Sequence, residues 1–310
     1  MRVTCCGTGG VESSLPQPPT FQTQHSMQTR QPSQTAQRAA MRRAAHQLLD
    51  GPDLILADPL ALPMAGVADP ERYRRNLLRG QNDSYRHLRA FLVARSRFME
   101  DHLRAAIDHG VRQYVLLGAG LDTSPYRLPF PAGMRVFEVD HPATQAWKRE
   151  RVRAAGASQP EGLRYVAVDL ERQALIPELV AAGFEPPRRA FVAWLGVTVY
   201  LTEATVLAAL DALAGMAPQT ELVFDYAAAG QRLVAGSQAA LQAMRGRMAR
   251  LGEPWLSFFV PEALAEELRR RGFAVQEDLD SSAINRRYFT DREDGLRADG
   301  VSHLLHARLK

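Results

Sequence analysis

Two glycines and a series of strand-end carboxylates give the first chemical signal in this sequence. Gly118, Ala119, Gly120, Leu121, Asp122 and Thr123 follow directly on the apolar run Gln113 to Leu117. Glycine at such a turn lets the backbone approach a ligand closely and present its N–H groups. The third glycine of the dinucleotide fingerprint is missing, so this turn alone is unspecific. A second apolar run ends in Glu138, Val139 and Asp140, with Asp140 standing 22 residues after Gly118. A carboxylate at that point can accept from both ribose hydroxyls of an adenosine ligand. Together the turn and the carboxylate predict a nucleoside-type cofactor; the plainer reading is a tight turn and a solvated strand end. A third run ends in Asp169 and Leu170. Asp169 can accept from the exocyclic amine of adenine while Leu170 packs on the ring, or it can simply cap its strand.

Arg95 is singled out by helical periodicity. At about 100° per residue, Leu88, Phe91, Leu92, Phe98, Met99 and Leu103 form one stripe, position 95 falls in its middle and Arg97 on the opposite face. An Arg directed into an apolar seam demands an anionic partner, because an unpaired buried charge is costly. That partner is either a ligand carboxylate or an internal Asp or Glu. His141, between Asp140 and Pro142, reads as a loop residue. Trp194 and Tyr200 flank the end of a fourth apolar run and read as core, and Glu203 as dipole compensation in a first helical turn.

The elements that must position these residues follow a recognisable order. Thr35 to Leu49 reads as an amphipathic helix and Asn82 to Asp108 as a second. Beyond Gly110, short apolar strands alternate with helices, the signature of a parallel sheet wound with crossover helices. Strands are predicted at Gln113 to Leu117, Met134 to Val139, Leu163 to Val168, Ala190 to Leu195 and Glu221 to Tyr226, with a final pair at Phe273 to Glu277 and Ser302 to Leu309. Helices are expected over Pro142 to Ala155, from a Thr202 cap through Gly215, and from Pro261 to Arg271. The fold expected is α/β, a doubly wound and mostly parallel sheet of seven strands. Residues 1–34, rich in Gln, Ser, Thr and Pro, read as a disordered leader. Residues 35–310 read as one domain: a helical cap over 35–110, a cofactor-binding core over 111–226, a helical insertion over 227–259, and C-terminal strands and a helix over 260–310.

Composition narrows the class further. The chain has 310 residues, 46% of them hydrophobic and 23% charged, which suits a globular protein with a sizeable core. No apolar run approaches the roughly 20 residues that span a bilayer. Cys5 and Cys6, the only cysteines, are adjacent and supply neither a disulfide framework nor a zinc site, so no metal site is expected. The opening ten residues have no apolar stretch of the signal-peptide kind, and a cytoplasmic location is expected. Net charge is +4, and the basic residues are almost all Arg, with Lys only at Lys148 and Lys310. Acids are interleaved with the Arg residues throughout, so neither nucleic acid nor membrane is the expected partner.

The runs Val93 to Phe98, Leu116 to Thr123, Phe137 to Pro142, Val168 to Leu170 and Trp194 to Leu201 resemble the leucine carboxyl methyltransferase family. They look closest to its bacterial branch of class I S-adenosylmethionine-dependent methyltransferases. The resemblance runs from about Thr35 to the C-terminus, and LGAGLDT followed by EVDHP is specific where either piece alone is not. It implies a Rossmann-like sheet binding S-adenosylmethionine, and methyl transfer to oxygen. By the same resemblance Arg95 would hold the cofactor carboxylate, Gly118 the methionine part, Asp140 the ribose, and Asp169 with Leu170 the adenine end, with Gly120 also expected in the cofactor site. Eukaryotic members carry a Glu after the fourth strand; this chain has Leu195 there.

The function expected is an S-adenosylmethionine-dependent O-methyltransferase acting on a carboxylate or hydroxyl of a small molecule, with no catalytic residue assigned and the oligomeric state open. A nicotinamide-dependent oxidoreductase shares the sheet and the acidic strand end. A cofactor-binding protein without catalysis is suggested by Leu195, and a nucleic-acid methyltransferase by the net positive charge.

Overall fold

Four helices precede the first strand in the computed structural model, which describes residues 33–80, 82–170, 172–229 and 254–310, Met1, and a few positions between 242 and 250. Helix α1 spans Gln34–Leu49, opened by Ser33, whose Oγ accepts from the Ala36 N–H at 3.1 Å. Two further helices, α2 (Ala61–Ala65) and α3 (Pro70–Gly80), have no counterpart among the sequence expectations. The long α4 spans Asp83–Asp108, and Asn82 caps it by accepting from the Tyr85 N–H at 2.9 Å. The expected leader falls almost wholly on residues 2–32, outside those described.

The strands are β1 (Gln113–Leu117), β2 (Arg135–Asp140), β3 (Leu163–Ala167), β4 (Phe191–Trp194), β5 (Glu221–Ala227), β6 (Phe273–Leu279) and β7 (Ser302–Leu309). They form one sheet in the order β3-β2-β1-β4-β5-β7-β6. The first five run parallel, and β7 pairs antiparallel with both β5 and β6. This is the expected seven-stranded, mostly parallel, doubly wound sheet. Its order reverses between β1 and β4, and ligands of open α/β sheets bind beyond the carboxyl ends of the strands at such a switch point.

Alternation along the strands divides the core into two layers. Val115, Leu117, Phe137 and Phe224 face Leu179 of α7 (Leu175–Ala181), Leu210 of α8 (Glu203–Ala214) and Leu264 of α9 (Pro261–Arg270). Tyr114, Leu116 and Val136 face Phe98, Met99 and Leu103 of α4 and Ile284 of α10 (Ser281–Tyr288). A third cluster joins α1 and α2 to Leu121 and to Val152 of α6 (Pro142–Ala154), so the N-terminal helices sit against the first strand-to-helix turn. A four-residue helix, α5 (Ser124–Arg127), follows that turn. Among the described residues no helix is long and apolar enough to cross a membrane.

One expectation about the helices needs correction. Leu88, placed on the apolar stripe of α4, is 37% exposed. The first turns of α4 are anchored by Arg89 instead, which is buried and bonds both oxygens of Asp50 at 2.8 and 2.9 Å, leaving Leu88 to one side. Within the helical insertion expected over 227–259, the described positions 242, 245, 246, 249 and 250 are helical. At its ends Ala227 completes β5 and Ala228 bridges to Phe259, and much of what lies between falls outside the described residues.

Candidate functional site

The turn after β1 is shaped by its glycines. Gly118 and Gly120 have φ of +65° and +45°, in the left-handed region that side chains disfavour. A Cβ on Gly118 would lie 2.3 Å from Cγ2 of Val197, so the turn after β4 closes against bare backbone. Asp140, the last residue of β2, fastens the other side of the turn. Its Oδ2 accepts from the Gly120 N–H at 2.6 Å and its Oδ1 from the His141 N–H at 2.7 Å. A carboxylate has about four lone-pair sites, so each oxygen keeps one for a hydroxyl. Burial pushes the Asp140 pKa up, opposed by the two N–H bonds and by Lys148.

Arg95 is buried, and its Nη1 lies 3.0 Å from Asp225 Oδ2 of β5. Of the two partners open in the sequence, the internal acid is therefore present. The pair does not exhaust the guanidinium: its Nε is buried and has no hydrogen-bond partner among the described residues. The same group lies so close to Gly196, at φ +70°, that a Cβ there would be 2.6 Å from Nη1. Because Gly196 meets Arg95 and Val197 meets Gly118, the two flank one turn. Asp169 and Leu170 are half-buried at the next strand end, where the Val168 N–H bonds the Asp140 carbonyl at 2.9 Å. Asp169 also lies 3.6 Å from the exposed Arg172. All six expected site residues thus lie along the carboxyl edge of the sheet, from β5 across to β3.

His141 lies in the connection between β2 and α6, as read from the sequence. It is the N-cap of α6, its Nδ1 accepting from the Ala143 N–H at 3.3 Å. Trp194 is fully buried among core residues, as expected, and Tyr200 is half-buried beside Val199 and Phe258. Thr202 caps α8 by accepting from the Thr205 N–H at 3.2 Å.

Beneath the turn lies a pair the sequence reading missed. Lys148 Nζ lies 2.7 Å from Glu138 Oε1, both side chains 1% exposed, and 3.5 Å from the Ala119 carbonyl. Tyr126 donates to the other Glu138 oxygen at 3.3 Å. Burial raises the Glu138 pKa, against the opposing pull of Lys148. The available signals were a lysine in a chain that otherwise uses Arg, and a Glu inside an apolar strand. Asp225, inside Leu222 to Ala227, was missed in the same way. Asp122, within the glycine turn itself, accepts from the Ser124 N–H at 2.7 Å. Burial raises its pKa, but Arg43, Lys148 and Arg127 together bring it below the usual 3.8.

The residues present fit an adenosine-type cofactor bearing a carboxylate: spare lone pairs on Asp140 suit ribose hydroxyls, and the unpartnered Nε of Arg95 suits an anion. The chain also resembles known proteins. Residues 36–214 match the leucine carboxyl methyltransferase family. The chain is 33% identical over 217 residues to the "Putative S-adenosyl-L-methionine-dependent methyltransferase YktD" of Bacillus subtilis strain 168, covering 69% of this chain and 71% of that one. It is 33% identical over 267 residues to a protein of the same description from Mycobacterium tuberculosis strain H37Ra, covering 78% and 83%. Among solved structures, one titled a putative methyltransferase from Thermobifida fusca superposes with a TM-score of 0.51 at 17% identity, covering 87% of this chain and 94% of that one. A DUF574 family protein from Streptomyces avermitilis gives the same score and identity, covering 87% and 97%, and both likenesses concern the fold. The fold is that of the class I S-adenosylmethionine-dependent methyltransferases. Within that class, the chain belongs to the leucine carboxyl methyltransferase family.

Proposed function

We propose that this protein transfers a methyl group from S-adenosylmethionine to an oxygen of a small molecule, the acceptor being a carboxylate or an acidic phenol. The observation that carries the cofactor part is the gathering of Arg95, Gly118, Gly120 and Asp140 around one pair of strand-end turns. In this reading Arg95 holds the cofactor carboxylate, the glycine turn lies along the methionine part, Asp140 binds the ribose, and Asp169 with Leu170 flanks the adenine. When bound, the cofactor supplies an already activated methyl group. The protein's task is then to hold the acceptor oxygen in line with it and to exclude water.

The acceptor class is supported by the family and by His141. An alkyl hydroxyl needs its proton taken, whereas a carboxylate or an acidic phenol arrives ionised. His141, a candidate base, instead uses its Nδ1 lone pair to cap α6. The test is transfer of a labelled methyl group to a panel of acids and phenols, followed by mild base. An ester releases labelled methanol and an aryl ether does not; label found only on nitrogen, carbon or nucleic acid would refute the oxygen assignment and leave the cofactor assignment standing. Calorimetry showing NAD binding and no S-adenosylmethionine binding would refute both.

A further inference from the structure

Asp225 occupies a position that a core strand rarely gives to a charge. It is 4% exposed and lies between Phe224 and Tyr226, both buried. Three bonds converge on it from two other segments. Its Oδ2 meets Arg95 Nη1 of α4 at 3.0 Å, and its Oδ1 accepts from the Gly196 N–H at 2.5 Å. Its main-chain carbonyl accepts from Thr198 Oγ1 at 2.6 Å. Asp225 therefore fastens both the guanidinium and the turn after β4 to β5.

The pairing is one-sided in a way that a purely structural ion pair would not be. A guanidinium carries five N–H donors in a rigid fork. Asp225 engages Nη1, while the buried Nε–H has no partner among the described residues, and leaving a charged group's donor unsatisfied in a buried site is costly. Gly196 lets the fork lie flat against the turn, since any Cβ there would collide with Nη1.

We propose that Asp225 is a positioning residue for the cofactor: it holds the Arg95 guanidinium by one edge against Gly196, so that its remaining donors meet the carboxylate of the methionine part. This rests on Arg95 being the carboxylate holder. The consequence is selective. Disturbing Asp225 should weaken ligands that carry the amino-acid end and spare those that lack it.

The experiment compares S-adenosylhomocysteine with 5′-methylthioadenosine, which shares the adenosine and the sulfur but has no carboxylate, by calorimetry on the full chain. In Asp225→Asn, Oδ1 still accepts from Gly196 while the charge opposite Arg95 is lost. The Kd for S-adenosylhomocysteine should rise about tenfold or more, and that for methylthioadenosine stay within about twofold. Asp225→Glu, which keeps the ion pair and therefore its contribution to folding, should also shrink the ratio of the two affinities, because the added methylene displaces the fork. Equal weakening of both ligands, or an unchanged ratio in both variants, overturns the positioning role. Wild-type protein that binds the two ligands equally well would instead remove the Arg95 reading, and binding of neither would remove the cofactor reading; the proposal falls with each.

Discussion

Asp140 has both carboxylate oxygens engaged by main-chain N–H groups, so its side chain is aimed before any ligand arrives. Preorganisation of this kind gives a clear expectation for Asp140→Ala: cofactor binding weaker by about 1–3 kcal/mol, measured by calorimetry with S-adenosylhomocysteine. Arg97→Ala serves as the control. Arg97 is half-exposed and bonds Asp101 one turn away at 2.7 Å, a pair worth about 0.3–0.5 kcal/mol. A binding loss in Arg97→Ala equal to that in Asp140→Ala would remove the assignment of the site to the inner face of α4. Arg95→Ala behaves differently from either, because it strips the partner from a buried Asp225. It should lower folding stability by about 3–5 kcal/mol as well as binding, so its melting curve must be read before its affinity.

At the scale of elements, Lys148 and Glu138 join α6 to β2 directly beneath the glycine turn. Lys148→Met leaves Glu138 as an uncompensated buried carboxylate and should destabilise the fold by about 3–5 kcal/mol. The double variant with Glu138→Met should recover most of that loss in urea unfolding; a double variant as unstable as the single one would show that the pair is not the cause. Which of these features could be read beforehand follows from how local their signals are. The strand positions, the glycine turn and Asp140 were legible because each is written in a short stretch: apolar runs, two glycines, a carboxylate at a fixed distance. Although Leu88, near the start of α4, departs from its stripe, Arg95 was legible as a buried charge because the helix is long enough for that stripe to be read around it. Its partner was not. Asp225 and Glu138 sit in strands buried on both faces, where alternation gives no clue to direction. Their roles appear only when α4 and α6 dock. The helix α3 escaped for the opposite reason: it buries no residue, so it has no core-facing stripe to read.

Across the whole molecule, α4 connects the cofactor edge of the sheet to its antiparallel wing, and its far end carries a histidine with little means of holding a proton. The His102 ring lies 4.4 Å from Phe98 and 4.0 Å from the ring of His306 on β7. Its Nε2 is buried without a hydrogen-bond partner among the described residues, and Glu277 on β6 stays 4.0 Å away. Burial, reinforced by His306 and Arg287 and opposed by Glu277 and Glu221, pushes the His102 pKa from 6.5 down to about 4. The sign of the linkage follows. Between those two values the unfolded chain binds a proton that the folded one does not, so stability falls as the pH drops through this window. The contribution is whole above pH 6.5 and flattens below about 4. Asp50 and Asp294 are held below the usual 3.8, so their contributions fade mainly toward and below that value. Glu100, Glu138 and Asp140, raised by burial, act in the opposite sense as the pH falls, so urea unfolding at about pH 5 and pH 7 reads the histidine through the difference between wild-type protein and a variant that lacks it. From about pH 7 to about pH 5 the urea midpoint should fall further in wild-type protein than in His102→Leu, which keeps the apolar packing on Phe98 and cannot titrate. A His102→Leu variant with the wild-type pH slope would place the acid sensitivity elsewhere in the fold.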